Sequence, residues 1–299
     1  MTRVPDEHIH CVELRTASED VPVIHELLAA LDLSSSSWHN VESGASFIWV
    51  FADDEASATT LCEQIADALL EWKSLLSGPA TAATTVLRHE DWAECWKRHF
   101  HTFRASPRLV VKPSWETYKL QNPGDIVLEL DPGMSFGTGY HGTTRACLQF
   151  LDGLADHLPG ASFLEAGCGS GILSLAASKL GYGPVFAFDH DGQAVLCAKE
   201  NLEAVGIADV TLATADVGAY APGRRFRVVV ANILAHVLEA NAEQIAAFLE
   251  RDNSPAHLIL AGILTEQYEQ IRDRYETLGL REIDRQTIDE WTSGLYVTV

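Results

Sequence analysis

Hydrophobic and polar positions divide the 299-residue chain into regions of different rhythm. From His8 to Leu14 apolar and polar residues alternate, the period-two signature of a half-buried strand. Val21 to Leu31 switches to helical spacing. Two strand-like runs, Trp38 to Glu42 and Ser46 to Phe51, flank Ser43-Gly44. A helical pattern then runs from Glu55 to Trp72, and Thr84 to Arg88 closes the set. The order βαββαβ predicts a small α+β sandwich of the ferredoxin-like kind over residues 1–88. Within it Ser34 to Ser37 reads as a loop and Ser77-Gly-Pro-Ala as a turn.

Residues 89–105 interleave aromatics with bases, from Asp91-Trp-Ala-Glu-Cys-Trp to Phe103-Arg104. That pattern reads as an amphipathic helix linking two domains, with RNA contact as the alternative. Residues 106–299 form the larger region. Arg108 to Trp115 and Asp125 to Leu130 give two strands, and a glycine-rich loop from Asp131 enters a helix ending near Leu148. Strands and helices then alternate. The strands are Phe163–Ala166, Pro184–Asp189, Val210–Thr214, Arg227–Ala231 and His257–Ala261, followed by two around Glu282 and Tyr296. Such alternation predicts a doubly wound α/β sheet of seven strands.

The chemistry concentrates where the first of these strands ends. Glu165-Ala166 leads into Gly167, Gly169 and Gly171 at alternate positions, and a helix begins at Ile172. Glycine lets a ligand approach bare backbone, and a helix start favours an anionic group. The next strand ends at Asp189, where a carboxylate can accept both hydroxyls of a ribose. That feature suits NAD and S-adenosylmethionine alike. Dinucleotide turns carry G-x-G-x-x-G, whereas this one is E-x-G-x-G-x-G. With Ala231-Asn232 at the fourth strand's end, the combination favours S-adenosylmethionine. Asp216, after the third strand, is placed either to accept an adenine amino group or simply to form a turn. The carbonyl of Asn232 is a candidate holder of a substrate amine. Ile233 and Leu234 follow where a base-methylating enzyme would place an aromatic, which favours an aliphatic amine.

Composition changes this picture little. Net charge is −21, against general affinity for a phosphate backbone and suited either to a basic protein substrate or simply to maintaining solubility. Residues 1–90 hold four Lys/Arg against fifteen Asp/Glu, a net of −11, so half the excess lies in under a third of the chain. No apolar run reaches the ~18 residues that span a bilayer. The six cysteines are scattered and the His8/His10 and His99/His101 pairs lack further ligands, so reduced thiols, no metal site and a cytoplasmic location are expected.

The segments Asp91–Trp96, Leu109–Trp115, Asp131–Leu148, Glu165–Leu173 and Ala231–Leu234, with Glu290-Trp291, resemble the ribosomal protein L11 methyltransferase family (PrmA). The motif FGTG-x-H-x-TTR from Phe136 to Arg145 is the most specific of them. The resemblance implies a class I methyltransferase that transfers methyl groups from S-adenosylmethionine to lysine or α-amino groups of a basic ribosomal protein. It also implies an N-terminal domain that recognises that protein, without membrane or direct nucleic-acid binding. Thr144, Gly167, Asp189 and Asn232 would contact the cofactor. The chain departs from the family pattern at Tyr140 and Gly142, where Thr and Pro are usual, and at Asn253-Ser-Pro-Ala, where a Gly-Gly is common. The rival expectations are methylation of another protein's lysine or of a small amine, a non-catalytic cofactor-binding module, and a dehydrogenase.

Overall fold

The computed structural model describes residues 8–31, 33, 35–40, 45–73, 75–88, 100–131, 139–252 and 254–299. The chain separates into two compact units, Met1–His99 and Phe100–Val299. In the first, strands β1 (His8–Thr16), β2 (Ser35–Asn40), β3 (Ala45–Ala52) and β4 (Thr81–Arg88) form one antiparallel sheet of order β2-β3-β1-β4. Helices α1 (Val21–Ala30) and α2 (Glu55–Trp72) pack on it. The alternation seen in the sequence places Val12, Leu14, Ile48 and Val50 on the helix-facing side, against Ile24, Leu28, Ile65 and Leu69. Asp54 caps α2 by accepting the Ser57 amide at 2.8 Å. Asp20 accepts the Ser77 and Gly78 amides, which fixes the turn before β4.

Two expectations fail here. Ser35–Ser37 is strand, not loop, because β3 offers Val50, Trp49 and Ile48 as partners to this polar edge. An edge strand paired on one side only needs no apolar alternation. Phe103–Arg104, at the end of the stretch read as a linker helix, is also strand (β5), paired with Val111 and Val110. Residues 100–102 and 105 of that stretch are not helical either, and 89–99 lie outside the described residues, as does loop 132–138.

In the second unit β5 joins β6 (Leu109–Lys112) and β7 (Ile126–Glu129) in a small sheet of order β5-β6-β7. Asp152 on helix α3 (Gly142–Ala155) fastens this sheet, accepting from Ser106 Oγ at 2.6 Å and Arg108 Nε at 2.5 Å. The main sheet contains β8 (Phe163–Ala166), β9 (Val185–Asp189), β10 (Val210–Thr214), β11 (Val228–Asn232), β12 (His257–Leu264), β13 (Leu280–Ile288) and β14 (Trp291–Thr298). Its order is β10-β9-β8-β11-β12-β14-β13, all running the same way except β14, which is antiparallel to both β12 and β13. Helices α4 (Ile172–Leu180), α5 (Gly192–Ala204), α6 (Ala235–Ala240), α7 (Ala242–Ala247) and α8 (Tyr268–Glu276) complete it. The five strands paired in parallel are apolar on both faces because two cores enclose them, one built on Leu148, Phe163 and Val230, the other on Leu164, Val229 and Leu258. Strand order reverses between β8 and β11. A crevice opens at the carboxyl ends of the strands at such a point, and ligands of open α/β sheets bind there.

Candidate active site

The glycine turn follows β8 at this reversal. Gly167, Gly169 and Gly171 all have positive φ (77°, 49° and 78°), a region costly for residues with a Cβ. Space excludes a side chain as well: a Cβ on Gly167 would lie 2.3 Å from Ile233 Cγ2, and one on Gly171 2.9 Å from Ala198 Cβ. The Gly167 and Cys168 amides both donate to the Phe188 carbonyl, at 2.9 and 3.0 Å, tying the turn to β9. Behind it, buried Glu165 accepts the Ser174 amide at 2.9 Å and the Ser174 hydroxyl, so the start of α4 is held to the end of β8. Burial pushes the Glu165 carboxyl up to about 8.

Asp189 ends β9 and is nearly buried, at 8 % exposure. Its Oδ2 accepts the Gly169 amide at 3.0 Å and its Oδ1 the Asp191 amide at 3.1 Å, with His190 Nδ1 also 3.1 Å from Oδ1. The carboxylate is thereby oriented by the turn itself and keeps lone pairs for further donors.

Asn232 ends β11 on the other side of β8. Its Nδ2 donates to Thr144 Oγ1 at 3.3 Å, although 88 positions separate the two residues. Its Oδ1 is buried and has no hydrogen-bond partner among the described residues. A buried carbonyl without a donor is uncommon and costs free energy, so one at a strand end beside the switch point marks a place for an incoming N–H. Thr144 belongs to the first turn of α3. His141 caps that helix, its Nδ1 2.8 Å from Thr143 Oγ1 and its ring 4.9 Å from Trp291. Burial lowers the His141 pKa, which keeps the ring neutral and able to accept. Gly142 opens the helix beside Ile288, whose carbonyl a Cβ would approach to 3.0 Å.

The structure thus brings the glycine turn, Asp189, Asn232 and Thr144 to neighbouring strand ends. Asp216 follows β10, exposed, with Oδ1 on the Gly218 amide at 2.8 Å, so it builds its own turn. Sequence reasoning missed the Glu165–Ser174 contact and the His141 cap. A lone acid inside the apolar run Phe163–Ala166 was the available signal for the first; the second left none. The residues present fit a nucleoside cofactor. Three left-handed glycines leave backbone bare, a pre-oriented carboxylate stands at the next strand end, and Asn232, whose Oδ1 has no donor among the described residues, ends the strand on the other side of β8.

The profile of the family described as Ribosomal protein L11 methyltransferase (PrmA) matches residues 18–296. The ribosomal protein L11 methyltransferase of Citrifermentans bemidjiense is 43 % identical over 217 residues, 71 % of this chain and 69 % of that protein. The one from Syntrophotalea carbinolica is 39 % identical over 251 residues, covering 83 % and 80 %. Among solved structures, the ribosomal protein L11 methylase of Lactobacillus delbrueckii subsp. bulgaricus superposes with a TM-score of 0.60 at 29 % identity, over 67 % of this chain and 99 % of that one.

Proposed function

Because the chain belongs to the ribosomal protein L11 methyltransferase family, we propose that it methylates lysine or α-amino groups of an L11-type ribosomal protein, using S-adenosylmethionine. The observation that carries this reading is the donorless Oδ1 of Asn232 at the sheet's reversal point. When bound, the cofactor supplies an electrophilic methyl on a sulfonium, open to in-line displacement.

The chain's own residues do the rest by positioning. Gly167, Gly169 and Gly171 hold the cofactor against backbone. Asp189 accepts the ribose hydroxyls with a carboxylate already aimed by the Gly169 and Asp191 amides. Asp216 contributes at most its remaining oxygen to the adenine end. Thr144 occupies the Nδ2 side of Asn232, so Oδ1 is the atom left to take an N–H of the incoming amine and turn its lone pair toward the methyl. An amine must arrive uncharged. Glu165 is committed to Ser174 and Asp189 to backbone amides, so neither serves as base. Desolvation between apolar walls lowers an amine pKa by itself. Leu234, 60 % exposed beside Asn232, offers such a wall to the methylene stem of a lysine.

Residues 1–88, with net charge near half the chain's total, are the recognition domain for the basic substrate, and residues 89–105 link them to the catalytic domain at 106–299. Among the described residues no helix is long and apolar enough to cross a membrane, and a cytoplasmic location fits a ribosomal substrate. Incubating the full chain with methyl-labelled S-adenosylmethionine and recombinant L11 tests the proposal. Label on L11 amino groups is the expected result; label only on other proteins of a lysate, or none, overturns the substrate.

A further inference from the structure

We propose that Tyr140 is a positioning residue for the transfer site, one that fastens the segment 139–144 between the glycine turn and Asn232. The inference rests on the functional reading above, but its evidence lies elsewhere in the structure. Segment 139–144 touches the site at both ends. At one end Gly139 adopts φ +90° and packs so closely that a Cβ would stand 2.9 Å from Cδ1 of Ile172, the first residue after the glycine turn. At the other end Thr144 Oγ1 receives Asn232 Nδ2.

Tyr140 holds the segment to a separate anchor. Its hydroxyl donates to the His101 carbonyl at 2.7 Å and accepts the His101 amide at 2.9 Å, a two-point grip on backbone. Its ring lies 5.0 Å from Phe100 and 4.4 Å from Phe103. The anchor is itself fixed. Glu116 accepts His101 Nδ1 at 2.8 Å and both the amide and hydroxyl of Thr102, at 2.7 and 2.6 Å. Those bonds hold the Glu116 carboxyl well below the usual range, at about 2, so the anchor persists across physiological pH. A threonine at position 140 has too short a side chain to make this grip. A fixed segment presents Thr144 to Asn232 in one arrangement, which lowers the ordering cost when ligand binds.

The test uses the full chain, with titration calorimetry of S-adenosylmethionine, transfer assays with labelled cofactor, and thermal unfolding. Tyr140→Phe keeps the ring contacts and removes both hydroxyl bonds. It is expected to weaken cofactor binding about three- to tenfold, for two partly exposed hydrogen bonds, with the unfolding midpoint lowered by a few degrees and the protein fully folded at the assay temperature. Thr144→Ala is expected to weaken binding too, and the double variant should lose less than the product of the two effects, since both act through one segment. Effects that simply multiply, or a Tyr140→Phe variant that binds like wild type, overturn the inference. If Thr144→Ala and Asn232→Ala also leave binding and transfer untouched, the site reading falls with it. If they matter and Tyr140→Phe does not, only the role of Tyr140 falls.

Discussion

The two ends of the main sheet differ in kind. At the amino ends of the parallel strands a cavity of about 830 Å³ is lined by Arg224, Arg227, Arg281, His157 and Glu250, among others. By size and charge it invites a ligand. Yet its central cation is already satisfied: Arg227 pairs with Glu250 at 2.5 Å and Asp252 at 2.8 Å and donates to the Ser254 carbonyl. Ser162 Oγ donates to Glu250 and accepts the Arg227 amide, closing the knot. His257 Nδ1 is buried there without a partner among the described residues, but burial and the Arg227 charge push its pKa down, leaving a neutral ring. At the carboxyl ends the space is less conspicuous, but backbone is bare, Asp189 is aimed, and the Asn232 carbonyl waits for a donor. Unfinished hydrogen bonding at a topological switch point locates chemistry better than volume does.

Asn232→Ala should break that contrast most sharply. The substitution also removes the Nδ2 bond to Thr144, so it should cost about 1 kcal/mol of stability, while an amine left unaimed should slow transfer about 10²- to 10³-fold. Single-turnover transfer to L11 under saturating cofactor, beside a urea unfolding curve, checks both halves. A variant that transfers normally removes Asn232 from the mechanism.

How much of this was legible in the sequence follows from the range of each signal. The βαββαβ order and the glycine turn are local patterns, and Asp189 stands a fixed distance past the glycines, so all could be read directly. Ser35–Ser37 could not, because an edge strand of serines carries no alternation and is defined only by its partner β3. Phe103–Arg104 misled for the opposite reason: interleaved aromatics and bases imitate a helix face, and only pairing with Val110 and Val111 makes them strand. The Thr144–Asn232 contact spans 88 positions, and neither residue's surroundings announce the other. Motifs supplied the parts of the site; topology alone supplied their meeting.

Arg227→Ala should give the converse result with a smaller effect. The side chain is 16 % exposed and its removal leaves part-buried Glu250 without its cation, while exposed Asp252 returns to water, so unfolding should become easier by about 1–2 kcal/mol, between the figures for surface and buried pairs. Transfer per folded molecule should stay at the wild-type value, because the knot lies at the opposite end from the glycine turn. A rate that falls with stability held constant would show that the amino end takes part in the reaction.

Glu165 is tested by a slope with pH rather than by a single loss, and it separates the two ends by burial. At the amino end Glu250 is paired with Arg227, whereas at the carboxyl end Glu165 is fully buried, and desolvation lifts its carboxyl from 4.5 to about 8 despite the Ser174 hydrogen bonds. Asp189 adds to the rise. Between those two values the unfolded chain has released a proton that the folded chain retains. Stability contributed by this group is therefore intact below about pH 4.5 and declines as pH rises toward 8. Glu165→Gln keeps an acceptor for the Ser174 amide and hydroxyl but cannot ionise. The wild type should lose ground to the variant from pH 5 to pH 8 in urea unfolding midpoints, with cofactor affinity nearly equal at pH 6. A difference that stays flat with pH, or grows in favour of the wild type, would mean that Glu165 is ionised in the fold and that the glycine turn rests on a charged carboxylate.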